Sequence, residues 1–168
     1  MGSVDEWADF PEASNARLPY DMQIGSETWN LVPAFGAQVM NEFGSVSLQI
    51  RGSFPLASND RGWRPGEQVD GALWMARRFN DFVSASVGVR ASVSKGIQGI
   101  DQDLETLRVP DDLALSFGGN RVDLPVEINI RLPSGPLAGQ HFGAEAVWTA
   151  HEDTHGPRIA SDWTVSVG

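Results

Sequence analysis

Residues 151–155 carry a pattern that is typical of metal chemistry. They read His-Glu-Asp-Thr-His and match the His-Glu-x-x-His pattern, in which both histidines bind zinc and the glutamate acts as base on zinc-bound water. The pattern works only on a helix, because positions i and i+4 share a face there. Gly156 and Pro157 follow at once, and His141 is the one other histidine. We therefore predict neither a helix nor a catalytic zinc site, with adventitious metal binding in a loop as the alternative.

Paired carboxylates offer a second route to chemistry, since two that flank a sugar can act as acid and base. The candidates are Asp123, Glu127, Glu145 and Asp162. The arginines that interleave with them are Arg51, Arg77, Arg90, Arg121 and Arg131. Because charges of both signs alternate, we predict a solvated ladder of ion pairs and no catalytic residues.

Asp101, Asp103 and Glu105 form an acidic run in a long irregular segment. Carboxylates suit calcium, but the run lacks the glycine and the spacing of an EF-hand loop. We predict a solvated loop and no cofactor, and we leave divalent-cation binding by the acidic loops open. The chain also has no glycine-rich phosphate loop that opens a helix and no Gly-x-Ser-x-Gly elbow.

Strands must position these charged residues, and the clearest strand pattern is 121–132. Its even-numbered residues are all aliphatic, and its odd-numbered residues are charged or polar except for Pro125. Successive side chains of a strand point to opposite faces. About eleven residues at roughly 3.3 Å each, tilted by about 45°, cover the roughly 25 Å apolar band of an outer-membrane barrel. We predict that the aliphatic face meets lipid and that the charged face lines water.

Six further stretches alternate in the same way. They are 28–40, 43–54, 68–79, 82–94, 141–150 and 159–167, which with 121–132 makes seven strands. The predicted lipid-facing residues are Trp29, Val46, Leu48, Ile50, Trp74, Val87, Val89, Val122, Val126, Ile128, Trp148 and Trp163. The predicted pore-lining residues are Gln49, Arg51, Arg77, Arg90, Arg121, Asp123, Glu127, Asn129, Arg131, Glu145 and Asp162.

The connections between these strands differ in length. They are short at 41–42 and 80–81, long at 56–67 and 95–120, and intermediate at 133–139 and 151–157. Outer-membrane barrels have short periplasmic turns and longer outer loops, so we predict that the last strand ends at the periplasmic rim. Asn41 is expected to take the positive φ of a two-residue hairpin turn. Pro33 and Pro125 lie inside predicted strands, where each removes a ladder donor.

Composition excludes several classes of protein. The chain has 168 residues and a formal net charge of −10, which argues against nucleic-acid binding because phosphate contacts need clustered Lys and Arg. No apolar run of about 18 residues is present, so no transmembrane helix is expected. The absence of cysteine excludes disulfides and thiol nucleophiles. Residues 1–27 are expected to form an acidic extracellular loop, and they show no signal peptide.

Several segments resemble a known family. They are Leu18–Ser26, Thr28–Leu31, Asn59–Gly62, Ala76–Asp81, Gly119–Leu124 and Ser161–Gly168. Together they resemble the C-terminal portion of a family of bacterial outer-membrane transporters that is named for the meta-pathway of phenol degradation. The element Leu-Pro-Tyr-x-Met-Gln-x-Gly-Ser is fairly specific, whereas the strand segments are generic to barrels. The resemblance implies passage of small aromatic or hydrophobic molecules. Family members would also have a signal peptide, further strands and a terminal aromatic residue.

We therefore expect an all-β fold, an antiparallel up-and-down transmembrane β-barrel in which residues 28–168 form a β-meander. Bacterial single-chain barrels use even strand numbers, so about seven strands indicate a fragment, a partial barrel that further sequence or self-association would complete. The expected role is that of a porin-like channel or transporter in the bacterial outer membrane, with the lipid bilayer and a small solute as partners, and not an enzyme. The alternative is a soluble acidic β-sandwich or lipocalin-like binding module, which would bury the aliphatic faces in its core.

Overall fold

A computed structural model describes residues 7–10, 13–17, 20, 22–23, 25–101, 104, 114–136, 138–156 and 161–168. In order, the strands are β1 (Trp7–Phe10), β2 (Ala13–Arg17), β3 (Asn30–Leu31), β4 (Ala34–Met40), β5 (Gly44–Pro55), β6 (Trp63–Arg64), β7 (Gln68–Arg78), β8 (Val83–Ser94), β9 (Gln98–Gly99), β10 (Gly119–Arg131), β11 (His141–Thr154) and β12 (Trp163–Val167). A 3-10 turn at Ala114–Ser116 is the one helical segment in this part of the chain. No helix among these residues has the length and hydropathy that a membrane span requires.

Eight of the strands form one antiparallel sheet. Its order is β12-β11-β10-β8-β7-β5, and β3 and β4 both pair with β5. All of the pairings in this sheet are antiparallel, which confirms the predicted all-β, antiparallel class. In the described residues β4 and β12 are the two edges of the sheet and do not pair with each other.

Two predicted strands have different bounds in the structure. The predicted strand 28–40 is divided into β3 and β4 at Val32 and Pro33, because proline has no N–H for the ladder. The chain nevertheless keeps its path beside β5, since the Gly52 N–H donates to the Pro33 carbonyl at 2.9 Å. The predicted strand 141–150 instead continues to Thr154, which pairs with Gly119 at the start of β10.

Strands also occur where the sequence predicted only loops. β1 and β2 form a hairpin inside the predicted acidic loop 1–27. β6 and β9 join the two long connections, with Trp63 opposite Gly99 and Arg64 opposite Gln98. A two-residue strand is too short to show an alternating pattern, so this pair could not be predicted from the sequence.

The tight turns depend on asparagine side chains. Asn41 Oδ1 accepts hydrogen bonds from the backbone N–H groups of Phe43 and Gly44, both at 2.9 Å. Asn80 does the same in the second turn, where its Oδ1 accepts two backbone N–H groups at 2.8 Å. Glu27 is the one residue other than glycine with positive φ in the described chain, so the predicted left-handed Asn41 is wrong. Asparagine serves here as a side-chain acceptor.

Asn80→Ala is expected to lower the free energy of unfolding by about 0.5–1 kcal/mol, because two backbone N–H groups lose a fixed acceptor at an exposed turn. Asn80→Asp keeps the acceptor oxygen and should unfold like the parent. Urea unfolding followed by tryptophan fluorescence measures the difference. Equal stability of Asn80→Ala and the parent would contradict this role.

The two ends of the sheet are built differently. At one end, the turn end, lie the described residues of the connections 41–43, 79–82 and 132–140, together with Gly168, which exchanges two backbone hydrogen bonds with Gly143 at 2.8 and 3.0 Å. At the other, the loop end, lie the described residues of the connections 56–67, 95–118 and 155–162. The buried apolar cluster lies among the loop-end connections, where the Tyr20 ring meets Trp63 at 4.9 Å and Phe117 at 5.9 Å in edge-to-face contacts.

Candidate functional site: the polar face of the sheet

The strand register assigns the charged side chains of the sheet to one surface, the polar face. Asp123 lies opposite Arg90 of β8 and Thr149 of β11. Glu127 lies opposite Ser86 and Glu145 in the same way. The predicted pore-lining residues on this face are Gln49, Arg51, Arg90, Arg121, Asp123, Glu127, Asn129, Arg131, Glu145 and Asp162.

Two predicted residues lie on the face opposite to the one expected. Trp74 pairs with Gly88 and shares the polar face with Arg90, so the prediction that it belongs to the aliphatic row is wrong. Arg77 pairs with Gly44 and Ala85 and lies on the apolar face, so its predicted place among the pore-lining residues is also wrong. The strand 68–79 has apolar residues on both faces, and alternation alone therefore gave no reliable phase.

The opposite surface, the apolar face, is open in the described structure. The predicted residues on it are Val46, Leu48, Ile50, Val87, Val89, Val122, Val126, Ile128, Trp148 and Trp163. Trp29 lies directly before β3 and is exposed. Val126 is 53% exposed and Val165 is 71% exposed, whereas Ser86 on the polar face is 9% exposed. This distribution is the reverse of a water-soluble domain, where apolar side chains are the buried ones.

A hydrogen-bonded charge network crosses β10 and β11 on the polar face. Arg121 Nε donates to both carboxylate oxygens of Asp123, at 2.9 and 2.8 Å. The Thr149 hydroxyl accepts from Arg121 Nη2 and donates to Asp123 Oδ1, each at 2.9 Å. Glu152 Oε1 lies 3.6 Å from Arg121 Nη1. The side chain of Asp123 is 17% exposed, so these partners satisfy a carboxylate that is largely shielded from water.

A second contact spans three strands. Arg90 of β8 reaches across β10 and donates to Glu145 Oε1 of β11 at 2.6 Å. The guanidinium carbon of Arg90 also lies 4.9 Å from the centre of the Trp74 ring, in cation–π geometry. The indole covers Gly88, where an added Cβ would lie 2.8 Å from two ring carbons. Glycine is therefore required at residue 88 for the Trp74 ring to lie flat on the sheet.

Charged side chains also line a cleft of about 400 Å³ on the polar face. The cleft extends over β5, β7, β8 and β10, and its charged residues are Arg51, Asp70, Arg90, Arg121 and Asp123. Side chains of both charge signs in one cleft suit the electrostatic binding of polar solutes.

A further cavity of about 490 Å³ lies where the polar face meets the loop end. The loops supply Tyr20, Trp63 and Phe117, and the sheet supplies Gln68 and Ser94. At its margin Lys95 Nζ donates to Glu67 Oε2 at 2.8 Å. The hydrogen bond and then the charge of Lys95 lower the pKa of Glu67 below its ordinary value of 4.5.

Because the pKa of Glu67 is lower in the folded state, this ion pair stabilises the fold fully above pH 4.5 and is lost as the pH falls through the depressed value. Lys95→Gln is expected to return the pKa of Glu67 to its ordinary range. Arg64→Gln should raise it less, since the Arg64 charge is the smallest of the causes. An NMR titration of the Glu67 carboxyl carbon tests both, and an unchanged Glu67 pKa in Lys95→Gln would refute the assignment.

Residues 151–154 of the His-Glu-x-x-His segment form the end of strand β11 and His155 follows it, so the segment is not on a helix. An extra residue, Ala150, forms a bulge in β11, because His151 pairs with Val122 while Thr149 pairs with Asp123. The bulge places His151 on the apolar face and Glu152 on the polar face. In the described residues no three His, Asp or Glu side chains form a group that could hold a metal. Of the acidic run that was predicted to form a solvated loop, Asp101 is fully buried and its N–H donates to the Tyr20 hydroxyl at 2.8 Å, so the prediction is wrong for Asp101. Asp103 and Glu105 lie outside the described residues.

Several polar-face residues were not among the predicted ones. They are Asp70, Arg78, Ser86, Thr149 and Glu152. Assigning the even-numbered residues of strand 68–79 to the polar face would have identified Asp70 and Arg78. The alternation of strand 82–94 already placed Ser86 on the same face as Arg90. Thr149 continues the alternation of Glu145, but Glu152 comes after the bulge, which no sequence period reveals.

Comparison of the chain with protein-family models, with curated proteins and with solved structures found no match.

Proposed function

We propose that this chain is part of an outer-membrane β-barrel channel or transporter through which small molecules pass passively. The observation that carries the proposal is the reversed distribution of side chains. Exposed Val, Leu, Ile and Trp side chains form the uncovered face, and the opposite face carries the charge network. A membrane barrel needs this arrangement, because its outer surface meets hydrocarbon and its lumen holds water.

The dimensions of the sheet support a membrane location. β10 has 13 residues, which at roughly 3.3 Å each and a tilt of about 45° rise through about 30 Å, enough for the apolar band of a barrel. Phe43, Phe79, Phe82 and Phe142 lie at or beside the turn end and are exposed. Trp163 pairs with Trp148, which lies opposite Leu124 near the middle of β10. The aromatic residues along the turn end are typical of one of the two girdles of such barrels.

In this proposal the polar face lines the lumen. Arg90 and Glu145 and the network around Asp123 fix charges of both signs along the path of a solute, and such fixed charges select by size and charge. Trp74 adds an aromatic surface beside Arg90 on the same face. The resemblance to the phenol-pathway transporters suggests small aromatic or hydrophobic molecules as the solutes, and an indole on the lumenal side is compatible with them.

A barrel has no free edges, so β4 and β12 need partners in the membrane. Backbone groups of an unpaired edge strand cannot remain bare in hydrocarbon, because each unsatisfied group costs several kcal/mol. We therefore include pairing of both edges in the proposal. The soluble binding module has less support, since it would need a second layer over the apolar face and no described segment covers that face.

Reconstitution in planar lipid bilayers tests this function. The proposal predicts stepwise ion conductance when the refolded protein is added to the bilayer, and permeation of small solutes into liposomes that contain it. A protein that binds to liposomes but gives neither conductance nor permeation would replace the channel with a structural or adhesive barrel. A protein that stays in solution would favour the soluble module.

A further inference from the structure

Arg77 is the one lysine or arginine on the apolar face of the eight-stranded sheet. Its guanidinium carbon lies 5.9 Å from the centre of the Phe79 ring. No ion pair joins Arg77 to another described residue. A cation is therefore present on a surface of exposed aliphatic side chains without an acidic partner from the described chain.

The residues on either side of Arg77 leave a groove. Its cross-strand neighbours, Gly44 on β5 and Ala85 on β8, have the smallest side chains available. An added Cβ at Gly44 would lie 2.1 Å from the Ala76 carbonyl oxygen, so this wall cannot carry a larger residue without a shift of the backbone. The groove has a volume of about 490 Å³.

The lining of the groove is largely apolar, and Arg77 is the one charged residue in it. Val46, Met75 and Val87 line it toward the middle of the strands, and Phe43 and Phe79 line it toward the turn end. The groove thus leads from a cationic group near the turn end to a row of aliphatic side chains two residues farther from that end, which lie side by side across β5, β7 and β8. This is the order of groups that a phospholipid presents, with its phosphate at the membrane surface and its acyl chains below.

The position of Arg77 along its strand fits a headgroup. β7 ends at Arg78, so Arg77 is one residue from the turn end, where the cost of a cation on a lipid-facing surface falls to roughly 0–1 kcal/mol. The long arginine side chain can extend toward the headgroups while its methylene groups stay on the apolar surface. Guanidinium groups bind phosphate through two parallel hydrogen bonds, which makes phosphate a suitable missing partner.

We propose that this groove binds one anionic phospholipid, with the lipid phosphate on Arg77 and an acyl chain along Val46, Met75 and Val87. The proposal rests on the proposed function, because it requires the apolar face to lie in a bilayer. The lipid site goes beyond the proposed function, because a channel can work without a specific lipid site on its apolar face.

The test uses the folded chain in neutral detergent micelles with equal amounts of phosphatidylglycerol and phosphatidylcholine. Native mass spectrometry counts the lipids of each kind that the protein retains. The parent is expected to retain phosphatidylglycerol about fivefold over phosphatidylcholine, the preference expected of one arginine near an anionic surface. Arg77→Gln should lose this preference. Ala85→Leu should lose it too, because leucine fills the groove while Arg77 remains.

Arg78→Gln is the matched control, since Arg78 is the next residue and lies on the polar face opposite Ser84. It should retain the parent's preference. An equal preference in Arg77→Gln and in the parent, or no preference in the parent, would overturn the lipid site. Flotation with pure phosphatidylcholine vesicles separates the two proposals, because a parent that floats without preferring phosphatidylglycerol loses only the lipid site. A parent that does not float overturns both.

Discussion

Val126→Arg is expected to lower the free energy of unfolding of the protein in lipid vesicles by about 2–4 kcal/mol, the cost of an arginine on the lipid face near the middle of a bilayer. Val126 lies near the middle of β10 and is 53% exposed. A surface position this exposed would tolerate arginine in water, usually to within about 0.5 kcal/mol. The large effect thus depends on hydrocarbon around the side chain.

Asn129→Arg is the control for this substitution. It adds the same charge to the same strand, but Asn129 lies on the polar face between Ser84 and Gly143, where small neighbours leave room. It should change stability by less than about 1 kcal/mol. Urea titration of both variants in vesicles, followed by the fluorescence of the six tryptophans, measures the difference. A Val126→Arg protein as stable as Asn129→Arg would contradict a lipid-facing Val126.

Asp123→Asn is expected to lower the free energy of unfolding by about 1.5–2 kcal/mol, in the lower part of the range for hydrogen bonds to charged groups because Arg121 stays partly exposed. The substitution removes the charge and turns one acceptor oxygen into a donor that faces the Arg121 guanidinium. Asp123 accepts from Arg121 Nε at 2.9 and 2.8 Å and from Thr149 at 2.9 Å. The one oxygen that asparagine keeps carries no charge, so the hydrogen bonds from Arg121 and Thr149 become weaker.

Glu127→Gln separates this structural effect from charge. Glu127 lies on the same face of β10 and accepts one hydrogen bond from Ser86 at 3.0 Å, so its loss should cost less than about 1 kcal/mol. Both variants remove one negative charge from the proposed lumen, and both should shift the ion selectivity of the channel toward anions. Equal stability of the two variants would show that the Arg121 network adds little, and unchanged selectivity in both would place these charges outside the conduction path.

The strands and most of their faces could be predicted because the sequence alternates without interruption in 82–94 and 121–132. Where the alternation is weak, the face on which each residue lies could not be predicted. In 68–79, Leu73 and Met75 lie on one face and Trp74 on the other, and only the pairing of Trp74 with Gly88 fixes the phase. The contact between the indole and this glycine joins two neighbouring strands. The alternation within one strand does not reveal such a contact.

The irregular features could not be predicted for similar reasons. The bulge at Ala150 changes which of His151 and Glu152 shares a face with Arg121, and one extra residue leaves no compositional signal. The short β6–β9 pairing depends on contact between two connections that are distant in the chain. The positions of the turns were predicted correctly, but the role of asparagine in them was not. Asparagine can either adopt positive φ or accept hydrogen bonds with its side chain, and the sequence does not distinguish the two.

Site-directed spin labelling along β10 is the most direct test of which face meets lipid. The chain has no cysteine, so single cysteines at positions 121–130 give unambiguous labels in vesicles. Oxygen, which concentrates in hydrocarbon, and a water-soluble nickel complex then report the environment of each label. The account predicts that oxygen accessibility peaks at the even positions from Val122 to Ile130 and that nickel accessibility peaks at the odd ones. Even positions that are open to the nickel complex, or closed to both reagents, would contradict it.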